Sequence, residues 1–116
     1  MQYLALIYGE ESRWENLSPE DRERELGEYM ALSGADVTRG GNELDSVTTA
    51  TTVRVRNDET LVTDGPFAEL KEAIGGYYVF ECDSIDEACT WAAKIPAARH
   101  GAIEVRPIYV EEGEAS

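Results

Sequence analysis

At 116 residues the chain has the length of one domain, enough to bury a core without metal or disulfide staples. Its 24 acidic and 10 basic side chains give a formal charge of -14. That charge excludes direct binding of a nucleic-acid duplex or an anionic membrane surface, because the arginines are scattered and form no local patch to override the field. The two cysteines lack CxxC spacing, nothing resembles a signal peptide, and no apolar run approaches the ~20 residues that span a bilayer. A cytoplasmic protein with reduced thiols and no membrane insertion is expected, with residues 1–110 as one domain and 111–116 as an acidic tail.

Residues 3–8 are apolar on both alternating faces, Tyr3, Ala5 and Ile7 on one and Leu4, Leu6 and Tyr8 on the other. That pattern predicts a strand buried on both sides. Ser18-Pro19-Glu20-Asp21 predicts a helix start, with Ser18 as N-cap and Pro19 in the first turn. Leu26, Tyr29, Met30 and Ser33 are expected on its inward stripe, and Gly34 stops it. The stretch around Arg39-Gly40-Gly41 reads as loop. Residues 48–56 alternate as a strand, placing Val53 and Val55 on one face and Thr52, Arg54 and Arg56 on the other. Asn57-Asp58-Glu59 turns the chain into a partner strand over 60–63.

Asp64-Gly65-Pro66 breaks that ladder, since proline donates no hydrogen bond and restricts its predecessor. A helical turn over 67–72 and a strand over 77–82 follow. Ser84 and Glu87 form a second capping box, opening a helix with Ile85, Ala88, Cys89, Ala92 and Ile95 on its inward stripe. Pro96 ends it, and the last strand covers 102–109. The element order is the βαββαβ of an α+β, ferredoxin-like sheet with one extra hairpin strand.

Two helices cover one face of such a sheet, so the other must meet water, a partner or a ligand. Alternation assigns Tyr77, Val79 and Glu81 to that open face, with Glu104, Arg106 and Ile108 from the last strand and Thr52, Arg54 and Arg56 from the second. An apolar first strand beneath them predicts a homodimer. Arg54, Arg106, Tyr77 and Glu81 become candidate ligand contacts, the arginines for an anionic or carbonyl-bearing small molecule. The alternative is that Arg54, Arg56, Glu81, Glu104 and Arg106 only pair with one another across strands.

Asp64, where a strand ends, is the candidate general base, although an Asp before Gly-Pro also builds turns. His100 is the only histidine and the only source of imidazole chemistry; the alternative is a histidine placed favourably near a helix C-terminus. Cys82 and Cys89 are expected in the core. Trp14 and Trp91 read as edge-of-core residues or as a ligand platform. No metal-ligand spacing is present, and Gly40-Gly41 and Gly75-Gly76 extend to no phosphate loop, so neither metal nor cofactor is expected.

The block Asp64-Gly65-Pro66-Phe67-Ala68-Glu69-Leu70-Lys71-Glu72 resembles the DGPFAETKE-type branch of the YCII-related family. Residues 50–56, Gly75-Gly76-Tyr77-Tyr78 and Ile95-Pro96-Ala97-Ala98-Arg99 extend the resemblance, which runs from Tyr3 to Pro107. It implies a dimeric α+β barrel, two sheets packed face to face with a cavity between them. Shorter members carry a His-Asp pair, with its histidine on the first helix. Residues 18–33 here contain no histidine and the second helix closes as Lys94-Ile95-Pro96, so that pair is absent. Two readings follow: a small-molecule binder, with cofactor-free lyase- or isomerase-like chemistry if it is an enzyme, and a non-enzymatic regulatory module with a protein partner. The second comes from the frequent encoding of DGPFAETKE-type proteins beside extracytoplasmic-function sigma factors.

Overall fold

In the computed structural model, which describes residues 1–111, the doubly apolar first segment forms β1 (Gln2–Gly9), one of the two inner strands. A short helix α1 (Glu11–Glu15) and the longer α2 (Pro19–Ser33) follow, then β2 (Thr38–Glu43), β3 (Thr51–Arg56), β4 (Glu59–Asp64), β5 (Ala73–Glu81), α3 (Ile85–Ala92) and β6 (Ala102–Pro107). Single 3-10 turns occupy Val47–Thr49 and Pro96–Arg99. The main sheet has the order β2-β5-β1-β6, with every neighbouring pair antiparallel. This is a ferredoxin-like α+β fold. The acidic segment expected over 111–116 lies, beyond Glu111, outside the described residues.

Alternation places the core on one face of the sheet. Tyr3 and Ala5 of β1 meet Tyr78 and Phe80 of β5, whose rings stack at 5.6 Å, and Leu32, Ala88, Ala92 and Ile95 close over them. The Tyr78 hydroxyl donates to the Tyr29 carbonyl at 3.0 Å, which satisfies a buried phenol that would otherwise cost its hydration. Both N-caps form as the sequence predicts. Ser18 accepts from the Asp21 amide and Ser84 from the Glu87 amide, each at 3.1 Å, while the Glu87 carboxylate reaches back to the Asp83 amide.

Several expectations are corrected. The sheet's fourth strand is β2, in the stretch read as loop. Polar and glycine-bearing, it sits at an edge where the backbone alone supplies the pairing. Gly41 is required there because a Cβ would lie 2.7 Å from the Tyr77 carbonyl oxygen. The alternating segment 51–56 instead pairs only with β4, as a separate two-stranded sheet. Thr52, Arg54 and Arg56 therefore lie on this hairpin and not on the open face.

The inward stripe of α2 is shifted by one residue, to Glu25, Tyr29 and Leu32, while Leu26 and Met30 are exposed. On α3, Ala88 and Ala92 are buried and Cys89 and Ile85 are exposed, because the small alanines let the helix lie close to the sheet and rotate the larger side chains outward. Cys82 is buried as expected, and burial pushes its thiol pKa up. Residues 67–72 form bends without a helix. No helix among the described residues is long and apolar enough to cross a membrane.

Candidate functional site

The register of the main sheet builds the open face row by row. Leu4 lies between Val79 and Arg106, Leu6 between Tyr77 and Glu104, and Gln2 beside Glu81. Since Tyr3, Ala5, Tyr78 and Phe80 face the helices, Leu4, Leu6, Tyr77 and Val79 point the other way and are half-buried. The result is an apolar strip with polar groups along its flanks. On one flank the Asn42 amide nitrogen donates to the Tyr77 hydroxyl at 3.0 Å. On the other the Tyr8 hydroxyl donates to Glu104 at 3.2 Å, and partial desolvation, with the Glu104 charge adding to it, raises the Tyr8 pKa.

The candidate charges do not neutralise one another. Glu81 receives the Met1 amino group, Glu104 takes Tyr8, and Arg54 lies 4.8 Å over the Phe67 ring. Among the described residues no ion pair joins any two of Arg54, Arg56, Glu81, Glu104 and Arg106, and Arg106 has no ion-pair partner. The alternative of mutual cross-strand pairing is not what the geometry shows. The face instead presents Arg106 beside Leu4 with its guanidinium unengaged among the described residues.

Asp64 ends β4 opposite Thr51, at the root of the hairpin. The turn after it is closed by other groups: the Gly65 amide donates to the Ala50 carbonyl at 2.7 Å, and the Thr52 hydroxyl to the Gly65 carbonyl at 2.8 Å. Gly65 has φ +101, a conformation that favours glycine. The Asp64 carboxylate is thus left exposed and without a hydrogen-bond partner among the described residues.

His100 stands elsewhere, just past the 3-10 turn, and the charges that act on it are those of Arg13, Glu25, Arg99 and Glu72. Desolvation first, then the Arg13 charge, lowers its pKa. The structure does not bring His100 into a pair with Asp64. It brings it to a cluster that sequence reasoning missed. Glu25, 3% exposed, accepts two hydrogen bonds from the Arg13 guanidinium at 3.0 and 2.6 Å, and that contact holds its carboxyl below the usual range. Alongside, Arg99 makes a two-point contact with Glu28 at 2.9 and 2.8 Å. The available signal was the spacing of Glu25, Tyr29 and Leu32, but a glutamate on that stripe reads as a solvated position.

Two hollows stand out among the described residues. One, of about 280 Å³, lies between Glu10 to Ser12 and Leu70 to Ala73, and one of about 200 Å³ lies between α3 and β6; neither is lined by Asp64. Trp14 and Trp91 line neither; they lie under Arg22 and Lys94, with the cations 6.0 and 4.1 Å from the ring centres.

Comparison with known proteins agrees with this architecture. A family model described as the YCII-related domain matches residues 1–112. An uncharacterised protein of Rhizobium meliloti (strain 1021) is 38% identical over 114 residues, covering 93% of this chain and 92% of the relative. A match over nearly the whole length, on a chain whose sheet order is ferredoxin-like, shows that the chain belongs to the YCII-related family.

Proposed function

We propose that this chain works as a homodimer that binds a small anionic or carbonyl-bearing molecule between two apposed open sheet faces. The observation that carries this reading is the composition of that face: Leu4, Leu6 and Val79 in a central strip, with the unengaged Arg106 and the Tyr8–Glu104 pair beside it. A face kept for water has no use for the strip, and one kept only for a dry interface has no use for an unpaired guanidinium. Apposition of two faces would exclude water from Arg106 and strengthen its hydrogen bonds to a carboxylate or carbonyl oxygen, while Tyr77 forms an apolar wall and Glu81 and Glu104 set the polarity at the rim.

The DGPF block supports placing the chain in the DGPFAETKE-type branch. In this reading Asp64 and Arg54 are supplied from the hairpin, and any proton abstraction rests on Asp64, a carboxylate that is exposed and has no hydrogen-bond partner among the described residues. His100 acts within the Arg13–Glu25 group. Such chemistry would be lyase- or isomerase-like and cofactor-free, in a cytoplasmic setting.

Native mass spectrometry of freshly purified protein tests the reading. The expected spectrum is a dimer that retains a small molecule, with the retained mass lost in Arg106→Met while the dimer persists. A monomer at micromolar concentration overturns the reading. A dimer that never retains or takes up a small carboxylate favours the regulatory module, whose occupant would be a protein.

A further inference from the structure

The hairpin β3–β4 has almost nothing to rest on. All of its strand residues except Thr52 are exposed, and among the described residues neither strand pairs with the main sheet. The register puts Val53 opposite Val62 with Val55 beside them, on one face, and these three are 60, 64 and 59% exposed. A lone two-stranded hairpin is marginal in water at best, and β-branched residues in this pattern are those of a half-buried face. The valine face has the chemistry of an interior surface without an interior.

The area of the chain says how much cover is missing. Its accessible surface is 8280 Å², against about 6,300 Å² for a compact protein of this size. Of that excess of roughly 2,000 Å², the last five residues could supply no more than about 700 Å², even as extended chain. The remainder exceeds the roughly 800 Å² that each partner buries in a standard interface and falls within the range of obligate homodimers. The Cα radius of gyration, 16.5 Å against about 13 Å expected, has the same origin in a thin body with a projecting arm.

We infer that the β3–β4 hairpin is a dimerisation arm, its Val53–Val55–Val62 face laid against a second copy of this chain. This rests on the homodimer proposed above and adds to the sheet-to-sheet contact a second, separate one. A second copy is the occupant that the numbers fit, because a twofold pair covers both unpartnered apolar surfaces at once, the sheet face and the arm. Arg54 and Arg56, on the arm's other face, are cationic groups on a chain of charge -14, so they offset locally the repulsion between two acidic copies. The arm root carries Asp64, so docking of the arm also fixes where that carboxylate stands relative to the partner.

Sedimentation velocity over 0.1 to 100 µM, on the parent, Val53→Asp/Val62→Asp and Val79→Asp, is the test, together with hydrogen exchange of the arm amides in the parent at both ends of that range. The expected result is a parent dimer and at least a tenfold rise in dissociation constant in the arm variant. Its circular dichroism should stay that of the parent, since both positions are exposed in the single chain. The arm amides should be protected at high concentration and lose protection on dilution. A parent dimer whose affinity is unchanged by the arm variant, with arm exchange independent of concentration, overturns the arm and leaves the sheet-face reading standing. A parent that is monomeric at 100 µM overturns both.

Discussion

At the level of single residues, the buried Glu25 carries the strongest electrostatic consequence. Its charge is stabilised first by the two hydrogen bonds from Arg13, with smaller help from His100 and Arg99, so Arg13→Met should cost roughly 3 kcal/mol by leaving the buried carboxylate without its hydrogen-bonded partner. The double variant Arg13→Met/Glu25→Leu should recover much of that loss, which a urea-unfolding cycle would measure; a cycle without coupling would show that the pair is not a unit. The pH dependence has a defined sign. Glu25 is lowered in the folded state, so its contribution is complete above the ordinary carboxylate value and is lost as pH falls below about 4.3 toward the folded value. His100 is lowered too, so stability falls earlier, from about pH 6.5 downward, as the unfolded chain takes up the proton first. His100→Gln should remove the first loss and keep the second. Asp64 is tested differently. Because Gly65 and Thr52 close the turn, Asp64→Asn should leave the melting temperature unchanged and diminish ligand binding or turnover. Binding equal to that of the parent would reduce Asp64 to scaffold.

Among the elements, legibility followed burial. Segments with one buried face announced themselves: β1 by double apolarity, β5 by Tyr78 and Phe80, α2 and α3 by their Ser caps. β2 did not, because an edge strand over Tyr77 and Tyr78 needs a glycine where the sequence rules expect a side chain. With β2 reading as loop, the alternating segment 51–56 takes its place in the sheet, and that one displacement puts Arg54 on the wrong surface. Tyr77, Glu81 and Arg106 do lie on the open face, because the phase of their strands is set by the core residues Tyr78, Phe80 and Val105. The same geometry yields two predictions. Gly41→Ala should destabilise by roughly 1 to 3 kcal/mol, since its Cβ would press on backbone that cannot yield without breaking the β2–β5 pairing. Gly65→Val should cost roughly 1 kcal/mol or more through its φ of +101 alone, as nothing lies within 4 Å of the added Cβ. Thermal melts separate the two mechanisms: Gly65→Asn, which tolerates positive φ, should recover most of the second loss, and Gly41→Asn none of the first.

For the whole molecule, the controlling quantity is thickness. The chain measures 47 by 46 by 19 Å, one layer of sheet and one of helices, so half of its sheet side chains have no layer above them. In the homodimer proposed above, a second sheet laid face to face would give Leu4, Leu6 and Val79 an interior, and Val79, paired with Leu4 in the apolar strip, would face the partner sheet. Val79→Asp would then introduce two carboxylates at twofold-related positions in a water-poor layer, at a cost of several kcal/mol. With about 1.4 kcal/mol per tenfold in affinity, the dissociation constant should rise by more than a hundredfold. In the single chain Val79 faces away from Tyr78 and Phe80, so the helix-side core should stay intact and the variant should fold as a monomer. Sedimentation equilibrium with near-ultraviolet circular dichroism reads both quantities. A Val79→Asp protein that is folded and as dimeric as the parent would show that the open face meets something other than its own copy.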